Sequence, residues 1–82
     1  MKNKFKKILV TGASSGIGKS IALKLLKHNF TVIGISRTHT IKNRGYIPYS
    51  QDISNLKEFS RILEEIKKEH KNINGVVSNA GE

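Results

Sequence analysis

The amino-acid sequence predicts an α/β chain: a four-stranded parallel sheet in the order 3-2-1-4, flanked by helices as an incomplete doubly wound fold. Three observations carry this prediction. The apolar runs around Ile8-Leu9-Val10, Val32-Ile33 and Val76-Val77 are too short for helices and lack polar alternation, as strands buried on both faces do. Two longer segments repeat their apolar residues at helical spacing. The order strand, helix, strand, strand, helix, strand then calls for right-handed crossovers between parallel strands.

Each element has its own justification. Lys7–Thr11 is a buried strand ended by Gly12. Residues 17–28 form a helix, with Ile17, Ile21 and Leu25 beside Ala22 and Leu26 as the expected buried stripe and Lys19, Lys24 and Lys27 toward water. Asn29 is the helix stop. Residues 30–36 form the second strand. Residues 37–45 are polar, with room for a short helical turn only. Tyr46–Ser50 is a third strand whose Pro48 confines it to an edge or terminus. Residues 55–71 form the second helix, opened by Asn55 and Glu58 in a capping-box spacing. Its expected apolar stripe is Leu56, Phe59, Ile62, Leu63 and Ile66, and Glu64 and Lys68 form an i, i+4 pair. Ile73–Ser78 is the fourth strand.

Length and composition bound the function. At 82 residues the chain is one small domain, and folding buries only roughly 60–65% of its unfolded surface. With 37% hydrophobic and 26% charged residues it is globular rather than disordered. The absence of cysteine excludes disulfides and thiolate metal sites and fits an intracellular, cytoplasmic protein. No apolar run approaches the roughly 20 residues of a membrane span, and the apolar stretch after the basic start is too short for a signal peptide. The formal net charge is +9, with lysine clusters at 2, 4, 6, 7 and at 67, 68, 71. No aromatic residues are interleaved with them to stack bases, so neither nucleic acid nor membrane is the expected partner. A basic surface still favours a polyanionic ligand such as a phosphorylated cofactor.

The chemistry-bearing motif is Thr11-Gly12-Ala13-Ser14-Ser15-Gly16-Ile17-Gly18, between a buried strand and an amphipathic helix. Gly12 allows a tight exit from the strand. Gly16 lets backbone approach a pyrophosphate, and Gly18 lets the helix pack close to the sheet. Amide groups from about Ser15 to Ile17 then point at the anion, aided by the helix dipole. A competing reading is open. Ala13 through Ser20 nearly forms a P-loop, with Ala for its first glycine, Lys19 for β/γ-phosphates and Ser20 for Mg²⁺. Against it, neither apolar strand ends in an Asp for the metal, and Lys19 has an ordinary explanation as a solvated helix residue.

The two segments Thr11–Gly18 and Ser78-Asn79-Ala80-Gly81 together resemble the short-chain dehydrogenase/reductase family. The first is similar to its Thr-Gly-x-x-x-Gly-x-Gly cofactor motif, the second to its Asn-Asn-Ala-Gly motif, with Ser78 in place of the first Asn. The resemblance covers essentially the whole chain and implies a single partial Rossmann-like, NADP(H)-binding domain over residues 1–82. It implies an Ile17 amide on the pyrophosphate, Asp52 and Ile53 bracketing the adenine, and Asn79, Ala80 and Gly81 lining the cofactor floor. With Gly12, Ser14, Ser15, Gly16 and Gly18 these form the expected cofactor-binding set.

Cofactor choice follows from charge. An NAD site places Asp or Glu at the end of the second strand to hold the ribose 2′-OH. Here Ser36, Arg37 and Thr38 stand there. An acid repels a 2′-phosphate, whereas Arg37 can grip it, so NADP(H) is preferred over NAD(H).

Catalytic residues are not expected in this stretch. The resemblance implies proton relay from a Tyr with a Lys four residues on, plus a Ser, for hydride exchange with a small carbonyl or alcohol. Only Tyr46 and Tyr49 occur, followed four residues later by Ser50 and Ile53. His28, His39 and His70 read as scattered surface histidines and suggest no metal site. Three functions stay in view: the cofactor-binding part of a longer reductase, a non-catalytic nucleotide-binding module, and a P-loop protein. The apolar fourth strand, left at an open sheet edge, leads us to expect self-association.

Overall fold

The computed structural model describes residues 6–13, 16–51, 55–70 and 72–78. The elements are β1 (Lys7–Thr11), α1 (Gly16–Lys27), β2 (Thr31–Ser36), β3 (Tyr46–Ser50), α2 (Leu56–Glu69) and β4 (Ile73–Ser78). The strands form one parallel sheet in the order β3-β2-β1-β4. This is the Rossmann-like order expected from the sequence, with Pro48 on the outer strand β3, where a missing N–H costs no ladder bond.

The central strands separate two cores. On one face Val10, Val32 and Tyr46 pack with Ala13, Ala22 and Leu26. On the other, Leu9, Ile33 and Ile35 pack with Ile66, flanked by Phe59, Ile62, Leu63 and Ile73. Double-sided burial is why β1 and β2 read as unbroken apolar runs.

Helix ends follow local chemistry. Asn29 adopts a left-handed φ of 68°. The Phe30 amide reaches the Leu25 carbonyl and the Asn29 amide reaches Leu26, a Schellman closure with Asn at its left-handed position. Asn55 caps α2, its side-chain oxygen accepting from the Glu58 amide at 3.2 Å. The reciprocal half of the expected capping box is replaced: the Glu58 carboxylate receives the Arg61 guanidinium. Among the described residues this i, i+3 pair is the ion pair on α2, in place of the expected Glu64–Lys68.

Three expectations need correction. Ile17 is 70% exposed, and the stripe that α1 buries is Gly18, Ala22 and Leu26. The small Gly18 and Ala22 bring the start of the helix close to the sheet, where a row led by Ile17 would hold it off. Leu56 is 76% exposed, because it opens α2 ahead of the turns that lie over the sheet. Residues 37–45 contain no helical turn. The chain instead bends at Asn43, whose side-chain oxygen accepts from the Gly45 amide at 2.8 Å.

An irregularity in β4 was not foreseen. The register with β1 shifts between Lys7 and Ile8, and Asn74 takes the Lys7 amide on its side-chain oxygen at 3.0 Å. Asn74 is the extra residue of a bulge. It turns Ile73 toward the α2 face, where Val76 also lies.

Candidate functional site

The carboxyl ends of the strands form one row. Ser78 of β4 pairs with Thr11 of β1, Thr11 with Ile35 of β2, and Ile35 with Tyr49 of β3. In open parallel sheets ligands bind along this edge, where the strand order reverses. Here the reversal lies at β1, which runs directly into the glycine turn.

Gly12 leaves β1 with a φ of 67°, and its amide donates to the Ile35 carbonyl at 2.9 Å. The turn is thereby fastened one residue short of Ser36. Gly16 opens α1 with a φ of 56°, which side-chain-bearing residues rarely adopt. A Cβ built on Gly16 meets nothing within 4 Å, so the space over this backbone is open to a ligand. Gly18 is buried in the helix–sheet contact, while Ile17 faces outward beside it. The amides at the start of α1 and its dipole face the same edge. This geometry suits a diphosphate: backbone donors, a helix N-terminus and, among the described residues, open space over Gly16.

The second group lies at the end of β2. Ser36 is buried, and its carbonyl accepts the Gln51 amide at 2.9 Å. Arg37 and Thr38 follow it, both exposed. The structure therefore brings Gly12, Gly16, Ile17, Gly18, Ser36, Arg37 and Thr38 to one edge of the sheet. Ser14, Ser15, Asp52, Ile53, Asn79, Ala80 and Gly81 lie outside the described residues. Among the described residues no group of His, Cys, Asp and Glu could hold a metal ion.

Two histidines are tied down rather than scattered, contrary to the sequence expectation. His39 is half-buried, with Nδ1 2.6 Å from the Tyr46 hydroxyl and Nε2 3.0 Å from the Tyr49 carbonyl. His70 lies 3.1 Å from the Tyr49 hydroxyl through Nε2 and 3.5 Å from Lys7 Nζ through Nδ1. Only His28 is an exposed surface histidine. The partners of His39 sit 7 and 10 residues away across a loop, a separation no periodicity encodes.

The two phenols are held in their protonated form. Burial raises the Tyr46 pKa. Burial first, then the hydrogen bond its hydroxyl donates to the Glu69 carboxylate, pushes Tyr49 up to about 12. A relay tyrosine needs the opposite shift, so neither is built to give up its proton near neutrality.

Comparison with known proteins follows the same lines. The family described as short chain dehydrogenase matches residues 6–82. Dehydrogenase/reductase SDR family member 11 of Gallus gallus is 35% identical over 85 residues, covering 89% of this chain and 33% of that protein. NADP-dependent 3-hydroxy acid dehydrogenase of Schizosaccharomyces pombe is 33% identical, covering 93% of this chain and 34% of its own length. Aldohexose dehydrogenase of Thermoplasma acidophilum, in its ligand-free form, superposes with a TM-score of 0.82 at 32% identity, over 95% of this chain and 30% of that one. The chain thus spans about a third of the length of the relatives it matches. From the glycine turn at the sheet edge to the strand order around it, the chain belongs to the short-chain dehydrogenase family.

Proposed function

We propose that this chain is the NADP(H)-binding N-terminal portion of an NAD(P)-dependent short-chain oxidoreductase that exchanges hydride with a small carbonyl or alcohol. The observation that carries the cofactor reading is the exposed Arg37 and Thr38 at the end of β2, fastened beside the glycine turn, with no carboxylate at positions 36–38. The positive-φ backbone at Gly12 and Gly16 and the open space over Gly16 fit a diphosphate. A relative 33% identical being NADP-dependent by name supports the same choice. The bound nicotinamide supplies the carbon that gives or takes hydride. The chain's own residues hold and orient the cofactor: amides of the turn on the diphosphate, Arg37 with Ser36 and Thr38 on the 2′-phosphate, and Asp52, Ile53 and Asn79–Gly81 along adenine and ribose.

Taken by itself, the 82-residue chain binds without turning over, because its two tyrosines are held protonated and lack a lysine four residues on. The P-loop alternative lacks support, since the described strands β2 and β4 end in Ser36 and Ser78 rather than Asp. We place the protein in the cytoplasm. No helix among the described residues is long and apolar enough to cross a membrane. For the 82-residue chain taken by itself, a second copy is the expected partner, pairing along the outer edge of β4, where Val76 is 63% exposed.

Titration with NADPH, NADH and ATP–Mg²⁺ tests the reading. NADPH binds tightest. Arg37→Ala removes a charge-assisted contact of about 1.5–3 kcal/mol, so NADPH weakens by roughly 10- to 150-fold while NADH changes little. Equal losses for both cofactors, or Mg²⁺-dependent ATP binding in place of dinucleotide binding, reject it.

A further inference from the structure

The stretch between β2 and β3 carries Arg37 and Thr38, and a relay of three residues, Gly34 and Tyr46 on the sheet and His39 in the stretch itself, ties it to β3. The relay begins with a missing side chain. A Cβ built on Gly34 falls 2.1 Å from the Tyr46 hydroxyl oxygen, 2.6 Å from Cζ and 2.7 Å from Cε1. The Tyr46 phenol therefore occupies the space that any other residue at 34 would fill. Tyr46 pairs with Val32, two residues earlier on β2, so its ring runs along the sheet face toward the carboxyl edge. That course carries its hydroxyl to His39.

His39 closes the relay. The Tyr49 carbonyl can only accept, so Nε2 carries the proton, and in the neutral ring Nδ1 accepts from the Tyr46 hydroxyl. Both bonds go to β3, from a residue three positions past the end of β2. The other end of the stretch is held where the Ser36 carbonyl accepts the Gln51 amide. Arg37 and Thr38 lie between these two anchor points with their side chains exposed.

We propose that His39 is a positioning residue for cofactor choice: it holds the 37–38 backbone in the course that presents Arg37 and Thr38 to a 2′-phosphate. The inference rests on the NADP(H) reading above. A free loop carrying Arg37 must be ordered when the phosphate binds, and that entropy is lost from affinity. With Ser36 and His39 both fastened, most of it is already spent on folding. His39 touches no cofactor atom in this account. It acts through the backbone of the two residues before it, and so it weighs on the cofactor that those residues grip.

The test measures Kd for NADPH and NADH on the 82-residue chain and its variants. His39→Ala weakens NADPH by about tenfold, the equivalent of one lost anchoring bond, and leaves NADH within about twofold. His39→Gln restores most of the loss, since its amide can donate to the Tyr49 carbonyl while its oxygen accepts from the phenol. Tyr46→Phe keeps the packed ring, removes the hydroxyl, and gives a smaller loss with the same selectivity. Amide exchange at Arg37 and Thr38 quickens in His39→Ala. Equal weakening of both cofactors, or no change in either, overturns the proposal and leaves His39 a loop-stability residue. Arg37→Ala separates the two levels of the argument. A selective NADPH loss there with an unselective His39→Ala rejects the positioning role alone. An unselective Arg37→Ala, or a chain that binds neither dinucleotide, rejects the NADP(H) reading and this inference with it.

Discussion

Replacing Gly34 by Ala tests the packing on which the site edge depends. Ordinary van der Waals contact for a Cβ lies at 3.4–4 Å, yet the new methyl meets three Tyr46 atoms at 2.1, 2.6 and 2.7 Å. Tyr46 cannot swing aside freely. It is 7% exposed and packed among Val10, Ala22, Leu26 and Val32. Overpacking of this kind costs about 1–3 kcal/mol, and losing the Tyr46–His39 hydrogen bond adds about 1 kcal/mol. Against this, Ala is better than Gly in a strand interior by about 0.5–1 kcal/mol. The net loss of about 1–3.5 kcal/mol lowers Tm by about 4–8 °C per kcal/mol in a domain of this size. Circular-dichroism melts of Gly34→Ala measure it. The decisive comparison is the same substitution in a Tyr46→Leu background, where the clashing atoms are gone. There Gly34→Ala becomes neutral or stabilising, a change of sign that only the Tyr46 contact produces. Equal destabilisation in both backgrounds, or none in either, refutes the assignment.

Two further predictions address the opposite face and the sheet edge. Because its pKa is raised in the fold to about 12, Tyr49 contributes stability that is present below pH 10 and is lost as pH rises from about 10 to about 12. Glu69→Gln removes the negative charge and lowers the Tyr49 midpoint in an ultraviolet difference titration; an unmoved midpoint contradicts the Glu69 contact. Val76 lies on the outer strand beside an apolar cleft of about 440 Å³ formed with Leu9, Leu63, Ile66 and Ile73. Val76→Lys shifts sedimentation velocity toward monomer while changing stability by less than about 0.5 kcal/mol, and unchanged association argues that the contact lies elsewhere.

The order and type of every element were legible because this fold writes its core in short-range patterns. β1 and β2 are buried on both faces, which forces unbroken apolar runs. Asn29 and Asn55 mark helix ends through bonds to backbone a few residues away. The glycine turn was legible for the same reason, since Gly12 and Gly16 need their conformations whatever lies further off. Periodicity failed at the helix starts. Ile17 and Leu56 fit an apolar stripe by spacing, but only the turns lying over the sheet decide which row is buried. It also could not find contacts between distant side chains. The Gly34–Tyr46–His39 relay and the Lys7–His70–Tyr49–Glu69 chain join residues brought together by strand order. Gly34 did leave a signal, a lone glycine inside a central strand, which marks a close approach from elsewhere.

The proposed site sets backbone amides of the glycine turn on the diphosphate of NADP(H) and Arg37 on its 2′-phosphate. Amide resonances of the isotope-labelled chain, followed during NADPH titration, report on both contacts at once. The largest shifts are expected at Gly12, Gly16, Ile17, Gly18 and Arg37, with NADH moving the glycine turn but leaving Arg37 nearly still. Shifts that bypass residues 12–18, or identical responses at Arg37 to both cofactors, contradict it.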